Sequence, residues 1–142
     1  MFADDFKMAM NDQPLSKEGF ELMGAAFSVH NELGGGLLEE IYHEAFEFEL
    51  EQCQIPFNSK APLNVSYKGR ELRKRYIPDL VVHDCIIVEL KALSSLAPEH
   101  EGQILNYMRI SEMPVGYLIN FGPIEAVEWK RFVLTKNTPF SS

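Results

Sequence analysis

The feature that most restricts what this chain can fold into is the run CIIVELKAL at residues 85–93, apolar throughout except for Glu89 and Lys91. A short apolar run rich in β-branched residues reads as a strand buried on both faces. Side chains alternate along a strand, so Ile86, Val88, Leu90 and Ala92 share one face while Ile87, Glu89, Lys91 and Leu93 share the other. Glu89 and Lys91 therefore project side by side. Burying each charge costs on the order of several kcal/mol unless it is paired, wetted by a cleft or bound to a metal. A partly exposed ion pair on a wet sheet face is the purely structural reading, and a functional reading requires a second acid nearby.

The rest of the sequence supplies a setting for that strand. Phe20, Met23, Ala26, Phe27 and Val29 recur at mostly helical spacing, which predicts a helix over 16–33 with Ser16 as N-cap and Gly19 as its weak point. Gly34, Gly35 and Gly36 end it, and a second helix is expected over 37–52. Strands are expected over 56–67, 77–82 and 85–93, joined by turns at Lys68-Gly69-Arg70 and His83-Asp84 into an antiparallel meander. Pro98 suits the first turn of a third helix reaching about residue 112, where Pro114 blocks continuation. Strands over 115–121 and 127–134 close the order. The predicted class is α/β, a mixed β-sheet with flanking helices: residues 16–136 form a single domain, 1–15 an N-terminal extension and 137–142 a frayed tail.

Composition narrows the class further. At 142 residues, 46% hydrophobic and with 10 Phe and 5 Tyr, the chain has core enough to dispense with disulfides, which excludes disordered and disulfide-dependent scaffolds. No apolar stretch is long enough to span a membrane and no secretory leader is evident, so a soluble, cytoplasmic protein without membrane partners is expected. Cys53 and Cys85 lack metal-type spacing and read as small buried hydrophobes. The net charge of −8 conceals a strong asymmetry, with −10 over residues 1–56 and +5 over residues 57–76. That segment holds Lys60, Lys68, Arg70, Arg73, Lys74 and Arg75 against Glu71, and its hairpin bases Lys68, Arg70, Arg73, Lys74 and Arg75 form either a solvated hairpin or a ridge that tracks a phosphate backbone.

The second acid lies upstream, where RYIPDLVV places Asp79 at the start of an apolar segment able to pair with the Glu89 strand. Two carboxylates beside an ammonium make poor packing but suit a hard divalent cation such as Mg²⁺, with Mn²⁺ as substitute, which takes one or two carboxylates, waters and substrate phosphate. Lys91 would then hold or help deprotonate an attacking water. Pro78-Asp79, nine residues, then Glu89-Leu90-Lys91 resembles the signature of the PD-(D/E)XK nuclease superfamily. Gly36-Leu-Leu-Glu39-Glu-Ile-Tyr42 resembles the GxxExxY motif, and His100-Glu-Gly-Gln103-Ile-Leu-Asn106-Tyr107 the H-x-x-Q-x-x-N-Y stretch of the small proteins named after it. With Leu118-Ile-Asn-Phe121-Gly122, the resemblance runs over residues 16–134 and implies a restriction-endonuclease-like core.

The resemblance also implies roles. Asp79 and Glu89 would hold the metal with the Leu90 carbonyl, and Glu39 would contribute directly or through water; Gln103 would support Lys91, with His100, Tyr107 and Tyr42 in supporting positions. At helical spacing Glu40, Glu44, Glu47 and Glu51 form an acidic ridge and Leu38, Ile41, Tyr42 and Ala45 a core stripe, with Glu39 on the flank between helix and sheet. An N-terminal acid complementing the helix dipole is the plainer reading of Glu39. Glu49 falls within the apolar stripe and is expected to meet an arginine, while His30, His43 and His83 receive no role. The expected function is a Mg²⁺-dependent nuclease acting on nucleic acid, DNA rather than RNA. The alternatives are a non-catalytic binding module, in which Glu89 and Lys91 form a simple ion pair, and an enzyme acting on small phosphates. A homodimer or a protein partner that delivers substrate is compatible with so small a domain.

Overall fold

A computed structural model describes residues 13–135. Two helices come first, α1 (Ser16–Leu33) and α2 (Glu39–Gln52). They are followed by β1 (Phe57–Ser59), a two-stranded hairpin of β2 (Ser66–Tyr67) and β3 (Arg70–Glu71), then β4 (Leu80–Val82) and β5 (Ile86–Lys91). Helix α3 (Pro98–Ile110) leads to β6 (Val115–Asn120) and β7 (Glu128–Val133). The main sheet has the order β1-β4-β5-β6-β7. Its β1, β4 and β5 form the expected antiparallel meander, and β5 and β6 run parallel because α3 carries the chain back across the sheet. The mixed α/β sheet with flanking helices expected from sequence is the one observed.

Apolar alternation divides the core into two layers. Ile86, Val88 and Leu90 of β5 join Leu80, Val82, Tyr117, Ile119 and Phe121 beneath α1 and α2, whose buried residues include Leu22, Ala26, Tyr42 and Phe46. Ile87 and Leu118 face the opposite way, against Ile104 and Met108 of α3 and against Tyr76. Glu89 and Lys91 share the Ile87 face and so emerge on the α3 side, at the end of the sheet where β4 no longer covers β5. The β4–β5 ladder extends from the Leu80–Val88 pair to the Val82–Ile86 pair, leaving the β5 edge beyond Val88 open toward residue 79.

Several local expectations change. The strand over 56–67 breaks after three residues because Lys60 takes a left-handed φ of 54° and Pro62 has no N–H to offer a ladder. The basic segment then leaves the sheet as its own hairpin, whose turn residues Lys68 and Gly69 both have positive φ, and a Leu63–Tyr76 bridge ties down its base. Ser16 is the first helical residue and not the cap, since Leu15 precedes the helix without a side-chain capping bond. Gly19 is a contact as well as a weak point: a Cβ there would lie 1.8 Å from the Tyr117 hydroxyl.

Both helices are rotated from the expected faces. Phe20 is 82% exposed and the core stripe of α2 is Tyr42, Phe46 and Leu50, leaving Leu38, Ile41 and Phe48 exposed. Glu40, Glu44 and Glu51 face solvent as expected. Cys53 is exposed and Cys85 half-buried, so neither is the buried hydrophobe expected. Among the described residues Glu49 meets no arginine; its Oε2 accepts from the Cys53 thiol at 3.6 Å, one helical turn along. No helix among the described residues is long and apolar enough to cross a membrane. The expected extension lies outside the described residues up to residue 12, and the expected frayed tail lies outside them entirely.

Candidate active site

Proline and charge shape the start of β4. Pro78 cannot donate to a ladder, so the chain turns away from β5 before Leu80, and the Asp79 carboxylate takes the place of a neighbouring strand. Its Oδ2 accepts the Leu90 N–H at 2.7 Å, and the Asp79 N–H in turn donates to Glu89 Oε1 at 2.8 Å. Each carboxylate is thereby fixed by a backbone amide of the opposite strand. Because N–H and C=O of one strand residue point the same way, the Leu90 carbonyl faces the Asp79 side, whereas the Lys91 carbonyl accepts Phe121 N–H at 2.9 Å on the β6 side.

The electrostatics of this arrangement are unbalanced. Burial first, then the Asp79 charge, push the Glu89 carboxyl up to about 7, against the opposing pull of the Asp79 amide, Lys91 and Tyr76. Burial and the Asp79 charge likewise raise the Glu39 carboxyl above its ordinary range, with Lys91 pulling it back. Glu39 begins α2 and reaches the end of the sheet from the other layer, where it couples through charge to Asp79 and to Lys91. Asp79 and Glu89 face each other across the strands, so Asp79 is the acid that acts on both of the others. Among the described residues, the Lys91 ammonium has neither a hydrogen-bond nor an ion-pair partner and acts on Glu89 and Glu39 through charge alone. The Glu89–Lys91 ion pair of the purely structural reading is therefore not formed.

The motif residues of α2 and α3 divide between scaffold and site. The Tyr42 hydroxyl accepts the Leu37 N–H at 3.0 Å and donates to the Gly34 carbonyl at 2.6 Å, clasping the glycine loop, while its ring stacks on Phe121 at 4.9 Å. Gly35 is required there because a Cβ would lie 2.3 Å from the Pro123 carbonyl oxygen. These contacts hold the N-terminus of α2, and with it Glu39, against the sheet end. On α3, His100 Nδ1 accepts the Ala97 N–H at 3.0 Å and so caps the helix. His100 and Gln103 also line, with Glu89, Lys91, Tyr76 and Tyr107, a small cavity of about 10 Å³. Gln103 is thus brought to the acids and the lysine, though it makes no hydrogen bond to Lys91.

Two residues without an expected role, Lys60 and His43, border Asp79 on its other side, and a third, Tyr76, borders Glu89. Lys60 donates to Asp79 Oδ1 at 3.3 Å and its N–H binds the Asp79 carbonyl at 3.0 Å. His43 lies with Nδ1 4.0 Å from Asp79 Oδ1, and its Nε2 is 2.5 Å from Glu47, which also accepts from Ser59 at 2.5 Å. His43 stands four residues after Glu39, so helical spacing alone put both on one face. Nothing local marked Lys60, whose approach depends on its left-handed turn. Tyr76 stacks on Tyr107 at 3.9 Å beside Glu89. The hairpin residues Lys68, Arg70, Arg73, Lys74 and Arg75 are all exposed, apart from the acids but joined to them through Tyr76.

Among the described residues, no three His, Cys, Asp or Glu side chains are grouped closely enough to hold a metal ion by themselves. The donors present, two oriented carboxylates and a carbonyl facing them, fit a hard cation that keeps water or phosphate ligands; Glu89, raised by burial first and by the Asp79 charge second, is a carboxyl whose ionised form such a cation would favour. A closed zinc-type site does not fit.

Comparisons with known proteins agree with this architecture. Curated proteins gave no match. Among solved structures, the crystal structure of SSO0001 superposes with a TM-score of 0.52 at 16% identity, over 66% of this chain and 48% of the other, a likeness of fold. This chain spans about half the length of that one. A family model described as the PD-(D/E)XK nuclease superfamily matches residues 16–132, a span that contains α1, the Asp79–Glu89 pair and all but the end of β7. The chain belongs to the PD-(D/E)XK nuclease superfamily.

Proposed function

We propose that this protein is a metal-dependent nuclease of the GxxExxY type that hydrolyses phosphodiester bonds of nucleic acid, DNA in preference to RNA, with Mg²⁺ as the ion and Mn²⁺ as its substitute. The observation that carries the reading is the reciprocal amide clasp of Asp79 and Glu89 beside a lysine whose ammonium makes no hydrogen bond or ion pair among the described residues. Charges placed so are costly for folding and useful for chemistry.

Asp79, Glu89 and the Leu90 carbonyl would hold the cation, with Glu39 reaching it directly or through water. When bound, the cation supplies Lewis-acid polarisation of the phosphoryl oxygen and lowers the pKa of a coordinated water. Lys91 orients the attacking water and neutralises charge that builds on the phosphoryl oxygens. Gln103, on the same small cavity as Lys91, limits the directions in which the ammonium can point. Lys60 and His43 place positive or hydrogen-bonding groups on the outer side of Asp79, where a neighbouring phosphate would lie. The exposed basic hairpin tracks the backbone without reading bases. Residues 16–136 are taken as one catalytic domain.

The test is cleavage of plasmid and of single-stranded oligonucleotides in Mg²⁺ or Mn²⁺, with EDTA as control. Metal-dependent nicking or degradation that Lys91→Met abolishes supports the reading. Cleavage that survives Lys91→Met marks a contaminating nuclease, and no cleavage of any substrate favours the non-catalytic binding module.

A further inference from the structure

The Tyr76 hydroxyl is out of place for a core tyrosine. The residue is 7% exposed, its backbone N–H and C=O are both paired with Leu63 at 3.0 and 2.7 Å, and its ring lies flat on Tyr107. Two independent constraints therefore fix where the hydroxyl points. No protein group lies at hydrogen-bonding geometry to it. Buried hydroxyls without a partner are rare in native proteins. Glu89 acts on Tyr76 both through its charge and as a hydrogen-bond acceptor, at a contact too loose to satisfy the hydroxyl as an ordinary direct bond. Burial and that charge together keep the phenol well above its ordinary pKa, so it stays a donor.

Between these groups lies the cavity of about 10 Å³ bordered by Tyr76, Glu89, Lys91, His100 and Gln103. A space of that size holds about one water, which needs two to four polar partners, and the walls offer them. We propose that this cavity binds one ordered water bridging the Tyr76 hydroxyl to Glu89, and that Tyr76 is thereby a positioning residue that sets the orientation of the Glu89 carboxylate. The bridge adds to the amide that already holds Glu89 Oε1. It also ties the base of the basic hairpin to the acids, since Tyr76 directly follows Arg75. Supporting hydrogen bonds of this kind commonly change metal affinity about 10- to 100-fold.

This inference rests on Asp79 and Glu89 holding a cation, and the experiment separates the two. Mn²⁺ titrations by calorimetry compare the wild type, Tyr76→Phe and Glu89→Ala, with thermal unfolding in EDTA as a check that each variant folds. Tyr76→Phe keeps the ring stack and removes one oxygen; the expected result is Mn²⁺ affinity weakened about 10-fold, while Glu89→Ala binds none. Equal affinity in the wild type and Tyr76→Phe overturns the positioning role alone. A wild type that binds no Mn²⁺ overturns the metal reading and this inference with it. Independently of any variant, a high-resolution crystal structure should show a single water within hydrogen-bonding distance of Tyr76 Oη and a Glu89 oxygen; a dry cavity or a direct Tyr76–Glu89 bond overturns the bridge.

Discussion

Asp79 and Glu89 hold each other in place through the backbone: the amide of Asp79 binds Glu89 Oε1 at 2.8 Å, and the amide next to Glu89, that of Leu90, binds Asp79 Oδ2 at 2.7 Å. Neither carboxylate can rotate without breaking a bond that substitutes for a missing rung of the β4–β5 ladder. The acids are therefore preorganised by the strand geometry itself, before any ligand arrives.

Stability of the metal-free protein should fall as pH rises, because of Glu89. Its folded pKa of about 7 lies above the ordinary 4.5, so the folded state binds the extra proton between those values. The contribution is full below about pH 4.5 and is lost as pH passes 7, an effect of at most about 3 kcal/mol. Unfolding in EDTA from pH 5 to 8 checks this: the wild type should lose stability relative to Glu89→Gln, and Glu89→Gln should be the more stable protein at pH 8.

Removing charge from the hairpin should weaken substrate binding without touching the acids. Substituting Arg70, Arg73, Lys74 and Arg75 by Gln should lower affinity for an oligonucleotide uniformly across sequences. It should also reduce the slope of log K against log salt by roughly one for each phosphate that the hairpin no longer neutralises. Fluorescence anisotropy over a salt series measures both. Turnover of a small phosphodiester should persist if the hairpin serves only polymer binding.

The loop that positions Glu39 depends on one hydroxyl. Tyr42→Phe loses the bonds to Leu37 N–H and Gly34 C=O in a fully buried place and should cost about 1–3 kcal/mol in a denaturant titration. A midpoint unchanged from the wild type would show that the clasp is not needed to hold the loop.

Much of this was legible in the chain. The alternation in CIIVELKAL correctly separated the Ile87, Glu89 and Lys91 face from the Leu90 face, because a strand's period is two and leaves no freedom. Helix faces were less legible: Phe20 and Phe48 are exposed at 82% and 61%, since hydrophobicity does not say which side of a helix meets the sheet. Lys60 and Tyr76 reach the acids through a left-handed residue and a hairpin excursion, tertiary features with no periodic signature. Tyr76 was visible in sequence only as an aromatic beside basic residues. His43 did carry a signal, its spacing of one helical turn from Glu39, which a search for histidine metal pairs passes over.

The central claim is that Asp79 and Glu89 together hold a divalent cation, and calorimetric titration of Mg²⁺ and Mn²⁺ into the wild type, Asp79→Ala and Glu89→Ala tests it without a choice of substrate. The account predicts saturable binding of an ion to the wild type, a rise in unfolding temperature with metal, and loss of both in either variant. Absence of binding to the wild type at millimolar metal, even with an oligonucleotide present to supply phosphate ligands, would contradict it.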